Sequence, residues 1–122
     1  MTKILIIEDE KLLAEMYSDK FSQAGYKVIL AYDAEEGLTA VEKKRPEMII
    51  LDIRLPREGG IEFLKKLRAD AEIAATPVIA FSNYDVPEVR KEAAGLGVKE
   101  YLIKTNYTPK ELLDKVKEYL PS

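Results

Sequence analysis

The sequence predicts an α/β fold, a doubly wound sandwich built on a parallel sheet of five strands. Three observations carry that expectation. Four short runs, Ile4-Leu5-Ile6-Ile7, Val28-Ile29-Leu30-Ala31, Met48-Ile49-Ile50-Leu51 and Val78-Ile79-Ala80-Phe81, are continuously apolar and rich in β-branched residues. Strands that lack in-out alternation are buried on both faces, as in parallel sheets covered by helices. A helical pattern separates each run from the next, and this strict alternation calls for right-handed crossovers.

In chain order, the strand at 4–7 leads to a helix in which Leu13, Tyr17, Phe21 and Ala24 recur at helical spacing, closed by Gly25. After the strand at 28–31, Asp33-Ala34-Glu35-Glu36 is a capping box ahead of Gly37, Leu38 and Val41, and Arg45-Pro46 ends that helix. After the strand at 48–51, Gly59-Gly60 precedes the helical set Ile61, Leu64 and Leu67. The strand at 78–81 is followed by Asp85-Val86-Pro87-Glu88, which reads as a second capping box, with Val89, Ala93 and Leu96 behind it and a stop at Gly95 or Gly97. Tyr101-Leu102-Ile103 is a shorter fifth strand. Thr108-Pro109-Lys110-Glu111 is a third capping box with proline at the first helical position, opening a stripe of Leu112, Val116, Tyr119 and Leu120.

At 122 residues, the chain reads as one domain over 1–122, with no repeat, linker or low-complexity tract. Composition then removes whole classes of chemistry. Without cysteine there is no disulfide, thiolate zinc site or cysteine nucleophile. Without histidine there is no imidazole base, Ser-His-Asp triad or histidine-ligated metal, and the chain cannot itself carry a phosphohistidine. Nineteen Lys+Arg against 22 Asp+Glu leave a formal charge of −3, which argues against direct nucleic-acid binding. The apolar run after Met1 is short and ends in acids, so it is no signal peptide, and no stretch has the length of a membrane span. The expected compartment is the cytoplasm, with no membrane partner.

In open α/β sheets, sites lie beyond the carboxyl ends of the strands at the switch in strand order. Those positions carry Glu8, Asp9 and Glu10 after the first strand, Asp52 after the third, Ser82 and Asn83 after the fourth, and Lys104 after the fifth. In the order 2-1-3-4-5 the first and third strands are neighbours, so Glu8, Asp9 and Asp52 converge. Two carboxylates ~5 Å apart at an effective dielectric near ~20 repel by about 3 kcal/mol, so three of them call for a cation. Oxygen ligands alone suit a hard ion, Mg²⁺ first. With the Lys104 ammonium and the Ser82 hydroxyl beside it, Asp52 is placed to act as a nucleophile toward a phosphoryl group.

These residues give the chain a resemblance, over its whole length, to the receiver domains of two-component response regulators. The matching motifs are Glu8-Asp9, Leu51-Asp52-Ile53-Arg54-Leu55-Pro56 with Gly59-Gly60, Ser82, Gly95-Leu96-Gly97 and Tyr101-Leu102-Ile103-Lys104, in the right order at the right strand ends. The resemblance implies a flavodoxin-like fold and Mg²⁺-dependent phosphorylation of Asp52 by a sensor histidine kinase or a histidine phosphotransfer protein. It implies Asp9, Asp52 and the Arg54 backbone carbonyl as direct Mg²⁺ ligands, with Glu8 holding the metal through water. Ser82 and Lys104 would contact the phosphoryl group, and Ser82 and Tyr101 would form the switch. It further implies an output domain or effector protein as partner, a phosphorylation-dependent homodimer as one route to output, and at most catalysis of the domain's own phosphorylation and dephosphorylation. Against the family pattern, Asn83 stands where a small residue is common and Thr105 where proline commonly follows the lysine. Arg54 and Tyr84 hold positions that vary and influence phosphoryl lifetime.

Three other readings compete. A phosphatase using Asp52 as nucleophile typically carries an acid two residues on, where this chain has Arg54. A nucleotide or flavin binder wants a Gly- or Ser/Thr-rich loop after the first strand, where Glu8-Asp9-Glu10 would repel phosphate. The third alternative is an interaction domain of the same fold that needs no phosphorylation. Whether the chain acts alone or as the receiver of a longer protein is left open by the sequence.

Overall fold

Five strands and five helices alternate along the chain: β1 (Lys3–Ile7), α1 (Lys11–Gln23), β2 (Lys27–Ala31), α2 (Ala34–Lys44), β3 (Met48–Leu51), α3 (Gly60–Ala69), β4 (Val78–Ser82), α4 (Pro87–Gly95), β5 (Tyr101–Ile103) and α5 (Pro109–Lys117). A turn of 3₁₀ helix, Lys104–Asn106, joins β5 to α5. The computed structural model describes residues 1–120; Pro121 and Ser122, which close the sequence, lie outside it. All pairings are parallel and the order is β2-β1-β3-β4-β5, so the expected doubly wound sheet is present.

The sheet divides the core in two, because successive side chains of a strand point to opposite faces. Leu5, Ile7, Ile49, Leu51, Val78 and Ala80 pack with Val41 of α2, with Phe63, Leu64 and Leu67 of α3 and with Ala93 of α4. Ile4, Ile6, Met48, Ile50, Ile79, Phe81 and Leu102 pack with Tyr17 and Phe21 of α1 and with Leu112, Leu113 and Val116 of α5. Each β1, β3 or β4 side chain thus has an apolar partner layer, which is why those strands read as unbroken apolar runs. β2 departs from that expectation. As an edge strand it is only half-buried, with Val28, Ile29 and Leu30 partly covered and Lys27 exposed.

Helix ends follow the sequence signals in two cases and depart in a third. Thr108 and Glu111 form a complete capping box. Asp33 accepts from the Glu36 amide at 2.8 Å, but the Glu36 carboxylate reaches back to the Tyr32 amide, not to that of Asp33. The expected box at Asp85 does not form: α4 starts at Pro87 with Val86 as an uncapped N-cap, and Asp85 instead accepts from Arg90 at 2.9 Å. Proline at the first helical position sets where α4 begins and places Asp85 one residue too early to cap it. At the other end of α1, Ala24 is the C-cap and Gly25 follows in the left-handed conformation at φ +96°. Leu13 is partly covered, Ala24 is exposed, and in the last stripe Tyr119 lies on the surface beyond α5.

Gly60 matters for the site. A Cβ built there would lie 2.7 Å from the Ile53 Cα and 2.8 Å from the Asp52 carbonyl oxygen. Only glycine lets the start of α3 pack this closely on the chain just after β3. Gly95, by contrast, ends α4 with nothing within 4 Å of an added Cβ. Urea unfolding should therefore show Gly60→Ala destabilised by about 1–3 kcal/mol through forced backbone displacement. Gly95→Ala should gain about 0.5 kcal/mol through a less flexible unfolded chain.

Candidate functional site

The acidic cluster is a product of strand register. β1 pairs with β3 so that Ile7 lies opposite Leu51, and the ladder continues as the Asp52 amide donates to the Ile7 carbonyl at 3.0 Å. Glu8 and Asp52 are the next residues on each strand and are therefore brought side by side. The alternation that places Ile7 and Leu51 toward α2 and α3 turns Glu8 and Asp52 toward the α1 and α5 side. Asp9 joins them from the β1–α1 loop: one carboxylate oxygen from each of Glu8, Asp9 and Asp52 lies within 4.8 Å of the other two. Glu8 and Asp52 are buried, at 2% and 7% exposure, whereas Asp9 faces solvent.

Lys104 makes this arrangement tenable. It follows β5 directly, and its ammonium donates to Asp52 Oδ2 at 2.8 Å and to Glu8 Oε1. Burial lowers the affinity of that ammonium for its proton, but the bonds to Asp52 and Glu8 together outweigh it, so Lys104 is held above the usual lysine range and stays charged. Burial raises the Glu8 carboxyl above its ordinary value, opposed by Lys104 and by the Glu10 amide, which donates at 3.1 Å. The second Asp52 oxygen, Oδ1, accepts from the Arg54 amide at 3.1 Å. Both Asp52 oxygens are thus oriented by donors.

Ser82 ends β4 almost fully buried, its Oγ accepting from the Tyr84 amide at 3.2 Å, which leaves the hydroxyl proton available to donate elsewhere. Tyr101 opens β5. Its hydroxyl already donates to the Tyr84 carbonyl, and its half-buried ring packs against the core layer that contains Ala80 and Ala93. Burial pushes the Tyr101 hydroxyl above its ordinary value, which keeps it a donor. Two cations stack on the aromatics here: Arg54 at 4.9 Å from the Tyr84 ring centre and Arg90 at 5.2 Å from that of Tyr101.

The cleft that gathers these groups has a volume of ≈ 260 Å³ and is lined by Asp9, Asp52, Arg54, Ser82, Asn83 and Lys104, with Glu10 and Tyr84 at its margin. A larger recess of ≈ 440 Å³ lies between α2 and the β3–α3 loop, where Asp33 pairs with Arg57. It mixes charges of both signs without a converging set, so the chemistry belongs to the smaller cleft.

The sequence matches the family described as the response regulator receiver domain over residues 4–117. The chain belongs to the response-regulator receiver domain family. This receiver is 31% identical to the chemotaxis protein CheY4 of Vibrio cholerae, whose structure superposes with a TM-score of 0.90 over 98% of this chain and 99% of that one. It is 32% identical to sporulation initiation phosphotransferase F of Bacillus subtilis over 98% of this chain and 94% of that protein. It is likewise 32% identical to the alkaline phosphatase synthesis transcriptional regulatory protein PhoP of Bacillus subtilis, over 97% of this chain but 48% of the relative. The receiver thus spans about half the length of the transcriptional regulators it matches. The family is a signalling domain, not a classical enzyme, and its fold is the flavodoxin-like one of CheY. Receiver domains generally bind Mg²⁺ through acidic residues, and the all-oxygen set of Glu8, Asp9 and Asp52 fits such an ion. Response regulators work with kinases or phosphotransfer partners and with output domains. Among the described residues no helix is long and apolar enough to cross a membrane.

Sequence reasoning found all the charged residues of the cleft and missed two connections, one beside it and one at the opposite edge of the sheet. Tyr84 acts through its backbone carbonyl, which no side-chain motif reveals. Arg68 of α3 donates to the carbonyls of Leu96, Ala74 and Thr76 at 2.7–2.8 Å, clamping the turns at both ends of the β4–α4 unit. An arginine in the last turn of an amphipathic helix reads as a solvated cation, so nothing in the pattern marks it.

Replacing Lys104 by methionine should strand two buried carboxylates. Stability in the absence of divalent metal should drop by about 3 kcal/mol in urea unfolding, as when one member of a buried ion pair is removed. Adding Glu8→Gln to Lys104→Met should restore a large part of the loss, because only one buried charge then lacks a partner.

Proposed function

We propose that residues 1–122 act as a single phosphoacceptor module in which Asp52 receives a phosphoryl group from the phosphohistidine of a sensor histidine kinase or a histidine phosphotransfer protein. The observation that carries this reading is the Asp52 carboxylate set between the Lys104 ammonium and the Glu8 and Asp9 carboxylates at adjacent strand ends. In the transfer, an Asp52 carboxylate oxygen bonds to phosphorus as the phosphorus–nitrogen bond of the donor breaks, and the leaving imidazole takes up a proton. Lys104 would follow the charge from the carboxylate to the phosphoryl oxygens, and the Ser82 hydroxyl would donate to another of them. Asp9, Asp52 and the Arg54 backbone carbonyl would hold Mg²⁺ directly, with Glu8 acting through water. The ion supplies charge neutralisation at the phosphoryl oxygens.

The domain would act as an enzyme only on itself, in its own phosphorylation and dephosphorylation. Labelling with a small acyl phosphate and Mg²⁺, followed by intact mass, should add a single phosphoryl group to the wild type and none to Asp52→Asn. Unchanged labelling of Asp52→Asn would contradict the assignment and favour the phosphorylation-independent reading. Mg²⁺ should raise the melting temperature of the wild type and leave that of Asp9→Ala unmoved. Because Asp9 is exposed and Lys104 already offsets the inner pair, metal-free Asp9→Ala should be only slightly more stable than the wild type.

Output would run through the face formed by α4, β5 and α5, toward an output domain, an effector protein or a second copy of the chain. Ser82 and Tyr101 share Tyr84 as hydrogen-bond partner: Ser82 holds its amide and Tyr101 its carbonyl. A phosphoryl group carries about two negative charges, and a Ser82 drawn toward it would shift Tyr84 and thereby the seat of Tyr101. Tyr101→Phe keeps the ring and deletes the bond. Hydrogen exchange should then quicken between residues 84 and 90 in the unphosphorylated protein, while α1 and α2 keep wild-type protection.

A further inference from the structure

Two residues that stand apart from the family pattern are partners. The carboxamide Oδ1 of Asn83 accepts from the backbone amide of Thr105 at 3.1 Å. The contact sits where the β4–β5 ladder has run out: the last paired residues are Ser82 and Ile103, and Asn83 and Lys104 come next. The Thr105 amide belongs to the 3₁₀ turn Lys104–Asn106, whose N-cap, Ile103, offers no side-chain acceptor. Asn83 supplies that acceptor from the neighbouring strand, so one side chain adds a rung beyond the sheet. A proline after Lys104 would have no N–H to give, and a small apolar residue at 83 would have no oxygen to receive it.

The segment 83–84 therefore grips β5 at both ends. The Tyr84 carbonyl holds Tyr101 at its start, and the Asn83 side chain holds Thr105 just past its finish. Asn83 is covalently next to Ser82, and Thr105 is covalently next to Lys104, whose side chain is only 11% exposed and reaches Asp52. We infer that Asn83 is a positioning residue, which through the Thr105 amide fixes the spacing between the Ser82 hydroxyl and the Lys104 ammonium on either side of Asp52. The inference rests on Asp52 being the phosphoacceptor, and it specifies how the two groups that meet the phosphoryl oxygens are kept in step. Asn83 touches neither of them and acts through the two loops.

Asn83→Leu preserves bulk and deletes the acceptor; Asn83→Ala deletes both. Both variants should take up label from a small acyl phosphate with Mg²⁺ more slowly than the wild type, by about fivefold, the kinetic equivalent of one ordinary hydrogen bond. Exchange of the Thr105 amide should quicken in both, with the unfolding midpoint unmoved, since residue 83 is exposed. In a Ser82→Ala background, the Asn83→Leu effect should shrink, because one of the two groups it spaces is already gone. A wild-type rate in Asn83→Leu alongside a faster Asn83→Ala would overturn the inference and leave Asn83 a steric element only. Unchanged exchange at Thr105 would overturn it as well. If the wild type itself takes no label, the Asp52 reading fails and this role fails with it.

Discussion

The ion bridge from Lys104 to Glu8 and Asp52 is the interaction on which the rest of this site depends. Register places two carboxylates side by side at the ends of β1 and β3 with almost no solvent to screen them, and a lone carboxylate in such surroundings would tend to neutralise. A cation from a third strand removes the conflict. It offsets the charge of both acids through bonds from one ammonium. A neutral hydrogen-bond donor in the same place could orient Asp52 but could not offset two buried carboxylates.

Strand parity sorts the groups around the cleft between the two faces of the sheet. Even-numbered positions of β1 and β3 face the α1 and α5 layer, and Glu8 and Asp52 continue that series into the acidic cleft. On β4 the same alternation turns Phe81 toward α1 and α5, and Ser82 toward the layer that holds α4 and Tyr101. Ser82 thus lines the cleft beside Asn83 while its side chain belongs to the α4 face of the sheet. Ser82 also accepts from the Tyr84 amide, so one residue joins the cleft to the α4 side of the sheet. Tyr101 is half-buried with its hydroxyl on the Tyr84 carbonyl.

The strands, the location of the cleft and each charged residue in it were legible because they follow from period and position, while the strand order came from the family resemblance. Apolar runs identify strands, and the residues that follow a run must lie at the carboxyl edge of a parallel sheet. Glu8, Asp9, Asp52, Ser82 and Lys104 are all found in this way. The failures are of one kind. Asp85 looked like a cap because Glu88 follows it by three, but Pro87 decides where α4 begins. β2 looked as buried as β1 because its composition is similar, but edge and centre differ only in the number of neighbours, which a single run does not encode. The Arg68–Leu96, Tyr101–Tyr84 and Asn83–Thr105 contacts span 28, 17 and 22 residues of chain, between groups whose local pattern is that of ordinary surface positions.

The same distinction applies to β5, which the Asn83–Thr105 contact flanks. At three residues it is the shortest strand, it lies at the sheet edge, and only its central residue is fully buried. Apolar burial alone holds it less firmly than it holds β1 or β3, so its position is set by polar ties at its ends: Tyr101 to Tyr84, Asn83 to Thr105, and Lys104 to the two acids. Ties of this sort are directional and replaceable one at a time. A core strand moved by evolution or by a ligand would disturb two packed layers at once. An edge strand held by a few hydrogen bonds can be retuned residue by residue while the sandwich behind it stays intact.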